Sequence, residues 1–143
     1  MPHCKIDFSA NVPGHQVAER LTRACHGAML ASQLFEPSSV KTRAIEADAA
    51  LTGTASDSFI HVDIAIMPGR SDSQKQALLA ALVAAIDDCG VVASSLTLEV
   101  RELNQAFYVK KLSAPGLDSR PIAQHQTSSR SGKQAQSRAG KPE

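Results

Sequence analysis

Alternation opens the chain. Cys4, Ile6 and Phe8 are apolar, and Lys5 and Asp7 between them are charged, which predicts a short half-buried strand. Asn11, Pro13 and Gly14 then break the chain. From His15 to Phe35 the period changes. Val17, Leu21, Ala24, Cys25, Ala28, Ala31 and Phe35 recur at steps of three and four, the mark of an amphipathic helix. Glu36 to Ser39, with Pro37, ends it. Alternation returns over Val40 to Asp48, with Val40, Thr42 and Ala44 on one side and Lys41, Arg43 and Ile45 on the other. Ala49 to Asp57 is small and polar and reads as a loop. Ser58 to Met67 is the clearest strand, with Ile60, Val62, Ile64 and Ile66 in phase. Pro68-Gly69 stops it, and Ser71 with Gln74 has the form of a capping box. Leu78, Leu79, Leu82, Val83 and Ile86 form the apolar stripe of a second helix, with Gly90 at its C′ position. Leu96, Leu98 and Val100 alternate in a fourth strand, and Phe107 to Val109 reads as a short edge strand.

The order is β-α-β, loop, β-α-β, so the fold class is α/β: two βαβ units, a four-stranded sheet and two covering helices. Each half is expected to be a right-handed crossover unit. Two sheets satisfy this string, an antiparallel ferredoxin-like one and one built from two parallel βαβ units, and periodicity does not choose between them. Helices on one side would leave the other face bare. A bare face bearing Ile and Val would be an interface.

Composition sharpens the picture at the end of the chain. Residues 113–143 are rich in Ser, Gln, Ala, Pro and Gly, and hold five Lys/Arg against two acids. Their large aliphatics are Leu117 and Ile122, too few to offset ordering entropy. We read residues 2–112 as the domain and 113–143 as a disordered basic tail. The whole chain has 143 residues and a net charge of +1, which argues against a general nucleic-acid binder. With no Trp, one Tyr and four Phe, the core must be aliphatic, and Phe8 and Phe59 make a poor base-stacking platform. Three widely spaced cysteines, Cys4, Cys25 and Cys89, do not form a disulfide framework and fit a reducing compartment. Neither a signal peptide nor a membrane span is legible. The expectation is a cytoplasmic protein without membrane or nucleic-acid partners.

Chemistry is sparse. The histidines and cysteines lack the spacing of a metal site. No phosphate loop, dinucleotide fingerprint or nucleophile elbow is present. Pro2 is the exception. Loss of Met1 would leave proline as a terminal secondary amine, which is a base while uncharged. Burial and nearby cations favour that form, and a base tuned toward working pH suits proton transfer. Lys41 and Arg43 lie two apart on a strand and share a face. Arg70 precedes a helix start, where anions are favoured.

These residues fall into a familiar order. Met1-Pro2-His3, Leu34-Phe35, Val40-Lys41-Thr42-Arg43, Phe59-Ile60-His61-Val62 and Gly69-Arg70-Ser71 together resemble the 5-carboxymethyl-2-hydroxymuconate Δ-isomerase family of the tautomerase superfamily. Gly69-Arg70-Ser71-Asp72 with Gln74-Lys75 resembles the helix start of 4-oxalocrotonate tautomerases. The resemblance covers residues 2 to about 110. It implies the parallel βαβ arrangement, a homotrimer, no cofactor, and a 1,3 keto-enol proton shift on an unsaturated acid such as 5-carboxymethyl-2-hydroxymuconate, a product of aromatic catabolism. It implies Pro2 as the base and Arg70 as the group on the substrate's acid or oxygen, with Lys41 and Arg43 as substrate-binding residues. Where the family has arginine, this chain has Lys41, which trades a planar fork for a point charge. The alternative is a non-catalytic small-molecule-binding module with a ferredoxin-like sheet.

Overall fold

A computed structural model describes residues 1–113. The tail expected over 113–143 lies, apart from Ser113, outside the described residues. Four strands and two α-helices follow in order: β1 (His3–Ser9), α1 (Val17–Ala31), β2 (Lys41–Ala47), β3 (Phe59–Ile66), α2 (Asp72–Asp88) and β4 (Ser95–Glu102). The sheet order is β2-β1-β3-β4. β1 pairs with β2 in parallel, β3 with β4 in parallel, and β1 with β3 antiparallel. Each βαβ unit thus contributes one parallel pair, and the two units meet through their first strands. This rules out the antiparallel ferredoxin-like sheet, and with it the fold of the alternative reading.

Register follows from the alternation. Cys4 faces Ile64, Ile6 faces Val62 and Phe8 faces Ile60 across the β1–β3 ladder. All six are buried, against Leu21, Cys25 and Met29 of α1 and Leu78, Leu82 and Ile86 of α2. Both helices therefore cover one face. Phe8 is 2% exposed, so it offers no stacking platform to a nucleic acid.

The other face corrects an expectation. It is polar, not a field of Ile and Val. His3, Lys5 and Asp7 occupy it on β1, opposite Ala65, Asp63 and His61 on β3. Lys41, Arg43 and Ile45 continue it on one edge, and Thr97, Glu99 and Arg101 on the other. The cause is the pleat: the residues that alternate with the buried set must face away from the helices. Charged neighbours pair across it. Arg101 forks onto Asp63 with Nε and Nη2 at 2.8 and 3.0 Å, and Lys5 reaches Asp7 at 2.9 Å.

Two helix ends matter for function. α1 stops at Ala31, short of Phe35, because Gln33 adopts a left-handed φ of 56°. Ser32 Oγ caps the end by donating to the Met29 carbonyl at 2.7 Å. Leu34 and Phe35 therefore leave the helix instead of extending it. α2 starts as expected: the Gln74 amide donates to Ser71 Oγ at 3.2 Å, and Gln74 Oε1 accepts from the Ser71 amide at 2.9 Å. Such a cap stabilises by about 1 kcal/mol. The expected edge strand at 107–109 is absent. Gln105–Phe107 is a short 3-10 turn, capped by Asn104, whose Oδ1 accepts from the Ala106 amide at 3.0 Å.

Candidate active site

Pro2 is buried at the entry of β1. Its carbonyl accepts the Lys41 amide at 3.1 Å, so the parallel ladder begins at Pro2 itself. Arg70 arrives from the turn between β3 and α2. Gly69, with φ of 116°, makes the turn in a conformation that side-chain-bearing residues rarely adopt. On the other side of Arg70, the capping box at Ser71 holds the backbone in place.

Arg70 is doubly anchored. Its Nη2 donates to the Leu34 carbonyl at 2.6 Å, and its guanidinium carbon lies 5.1 Å from the centre of the Phe35 ring. Both partners come from the segment released by the early end of α1. A cleft of about 160 Å³ lies between these elements, lined by Pro2, Phe35, Glu36, Ser39, Met67 and Arg70, with Met1 on its wall. Glu36 is placed by its backbone: its carbonyl accepts from the amide and the hydroxyl of Ser39, at 2.9 and 2.7 Å. One basic residue, one acidic residue and Pro2 thus share one space.

Lys41 and Arg43 are elsewhere. Both are exposed on the polar sheet face, opposite the helices, and neither lines the cleft within its own chain. They surround His3 instead. His3 Nε2 lies 3.3 Å from the hydroxyl of Tyr108, and the rings meet edge to face at 67°. Partial burial is the largest cause holding the His3 ring below the ordinary histidine range; Arg43, the N-terminal amine, Arg101 and Lys41 add to it. His3 is therefore neutral at pH 7. Its folded value lies below the unfolded one, so protonation opposes folding and stability falls as pH drops below about 6.5. NMR titration of the His3 ring is expected to give a midpoint below the ordinary value, and Arg43→Ala is expected to raise it. A midpoint unmoved by that change would remove the coupling.

Sequence reasoning named Pro2, Arg70, Lys41 and Arg43; the structure brings the first two together and sets the other pair apart. It missed Glu36, Ser39 and Met67 as cleft walls, and Tyr108 beside His3. Pro37, which stops helical continuation and directs Glu36 to Ser39 into a turn, was the available pointer to the first two. A larger hollow of about 260 Å³ lies at the far end of β1 and β2, bounded by Ser9–Asn11 and the 47–57 segment. It presents Asp48 and Asp57 and no basic side chain, so it does not suit an acid.

A family model for 5-carboxymethyl-2-hydroxymuconate isomerase matches residues 2–114. The chain belongs to that family. It is an isomerase. Solved structures carry the same fold. A 5-carboxymethyl-2-hydroxymuconate isomerase from Deinococcus radiodurans R1 is 24% identical, with a TM-score of 0.68, over 78% of this chain and 90% of that one. A 5-carboxymethyl-2-hydroxymuconate delta-isomerase is 18% identical, with a TM-score of 0.68, over 79% and 89%. A fused 4-OT described as a symmetric trimer is 13% identical, with a TM-score of 0.60, over 76% and 93%. No protein among the curated ones matches by sequence. Within the family, the matched span begins at Pro2 and includes every residue of the cleft except Met1.

Proposed function

We propose that this isomerase catalyses keto-enol tautomerisation, a 1,3-proton shift, on an unsaturated 2-hydroxy acid, with the amine of Pro2 as the base after Met1 is removed. The observation that carries the reading is the shared cleft of Pro2 and Arg70. With Met1 attached, the Pro2 nitrogen is an amide and has no basicity. Once terminal, it is a secondary amine in a buried position beside a guanidinium, and both surroundings favour its uncharged form.

The step balances without any change of oxidation state. Pro2 nitrogen takes the proton of the enol hydroxyl. The oxygen's electron pair forms the carbonyl, and the carbon–carbon double-bond pair moves to the third carbon of the acid. That carbon takes the proton back from the prolinium. Arg70 has guanidinium donors beyond the one on Leu34, and these hold the carboxylate and the oxygen on which charge develops. 5-Carboxymethyl-2-hydroxymuconate, the acid in the family's name, has the required enol and places the reaction in the breakdown of aromatic compounds.

A homotrimer accompanies this reading. The fused 4-OT with the same fold is a symmetric trimer. Lys41 and Arg43, unable to line their own chain's cleft, are available to another copy's. A cytoplasmic setting fits the three free thiols and the lack, among the described residues, of a helix long and apolar enough to cross a membrane. The test is direct. Intact mass should show Met1 missing, sedimentation should give three chains, and the purified protein should accelerate loss of the 2-hydroxymuconate dienol absorbance. Decay at the buffer rate would end the reading.

A further inference from the structure

Arg70 is half-buried, and the two groups that hold it are neighbours in the sequence. The left-handed turn at Gln33 follows the end of α1 and sends Leu34 and Phe35 out of the helix together. The Leu34 carbonyl accepts from Nη2 at 2.6 Å, and the guanidinium carbon lies over the Phe35 ring, 5.1 Å from its centre. The two contacts do different things. A single hydrogen bond fixes one nitrogen and leaves the guanidinium plane free to swing about it. An aromatic face limits that swing, because a cation within about 6 Å of the ring centre is attracted to it. The ring is itself held in place, since Phe35 packs against the hydrophobic core. Both anchors are uncharged, so neither cancels the positive charge that an acid in the cleft would meet.

We propose that Phe35 is a positioning residue for the isomerisation: its ring sets the plane of Arg70, so that the donors not used on Leu34 face the acid beside Pro2. The proposal rests on the tautomerase reading and deepens it with a residue that acts through Arg70. Phe35 and Arg70 line the cleft together with Pro2. Donors fixed in advance stabilise a developing charge without reorganising at the moment of reaction, and a small misplacement of a group that holds substrate is costly in rate. Loss of the ring should therefore fall on kcat and leave KM little changed, the mark of an interaction made in the transition state.

The experiment compares F35L, which keeps an apolar side chain but has no aromatic face, with F35Y, which keeps the face. With 2-hydroxymuconate, F35L should lower kcat about tenfold, or about 1.4 kcal/mol, and F35Y should stay near the wild-type rate. In an Arg70→Ala background F35L should cost nothing further, since a residue acting through Arg70 has no effect without it. Nitrogen-15 NMR of the Arg70 side chain runs in parallel. Rotation of the guanidinium about its Nε–Cζ bond should be slow in wild type and F35Y and faster in F35L. A wild-type kcat in F35L, or an equal loss with and without Arg70, overturns the role of Phe35 and leaves Pro2-dependent turnover intact. Unchanged rotation in F35L overturns it whatever the rate. Faster rotation in F35L, in a protein whose wild type leaves the enol unchanged, supports the hold of Phe35 on Arg70 and overturns the tautomerase reading.

Discussion

Pro2→Ala is expected to lower kcat/KM for ketonisation of a 2-hydroxymuconate-type acid by roughly 10²- to 10⁴-fold, the usual worth of a positioned proton-transfer group. Alanine at this place still yields a terminal amine after Met1 is lost. That amine is primary, sits on a residue without the ring, and rotates freely. The fold should not suffer, because the contact that starts the ladder is made by the residue's carbonyl with the Lys41 amide, and alanine keeps it. Thermal unfolding of the variant should thus match wild type while turnover collapses. The pH profile gives a second reading. A free α-amine titrates near 7.7–8.0. Burial and Arg70 favour the uncharged amine, so the ascending limb of kcat/KM should fall below that range. Rate should drop as pH falls through it, since prolinium cannot accept a proton. Full turnover in Pro2→Ala, or in protein that keeps Met1, would dispose of the mechanism.

Arg70→Ala carries the second large expectation, a loss of about 10²- to 10³-fold, mostly in kcat, because the oxygen gathers charge on the way to the transition state. Arg70→Lys should recover part of it. Lysine restores the charge but lacks the fork that can donate to Leu34 and to substrate together. The structural cost must be measured alongside. A hydrogen bond to a charged group is worth about 1.5–3 kcal/mol, and the stack on Phe35 about 0.5–1 kcal/mol more at an exposed site. Unfolding curves separate the two effects: Arg70→Ala should lose both stability and rate. A variant with wild-type kcat and merely lower stability would recast Arg70 as a brace for the 34–36 segment.

Much of this was legible in the residues. The period-two runs at 4–8 and 58–67 gave strands with the right faces, since every second residue must meet the helices. Ser71 and Gln74 gave the start of α2 because both halves of the cap are side chains with a fixed spacing. The end of α1 was not legible. Gln33 supplies the left-handed φ without being glycine or asparagine, and the apolar Leu34 and Phe35 continued the helical period while leaving the helix. Strand order was open on periodicity alone, because alternation says which way a side chain points and nothing about its neighbour strand; the resemblance supplied the parallel choice. The polar sheet face could have been read from His3, Lys5, Asp7, His61 and Asp63, which alternate with the core residues on both central strands. For the cleft, Pro2 and Arg70 came from the family pattern. Glu36 could not, because a backbone turn brings it to a cleft shared with a residue 34 positions earlier.

The hydrogen bond between the Lys41 amide and the Pro2 carbonyl has a consequence at the level of the gene. It ties the residue that follows Met1 into the sheet. On the proposed mechanism, the translation start is then itself a determinant of catalysis. Initiation a few codons upstream, or a vector-encoded leader fused in frame, would leave every side chain of the cleft in place and still silence the enzyme, by turning one amine into an amide.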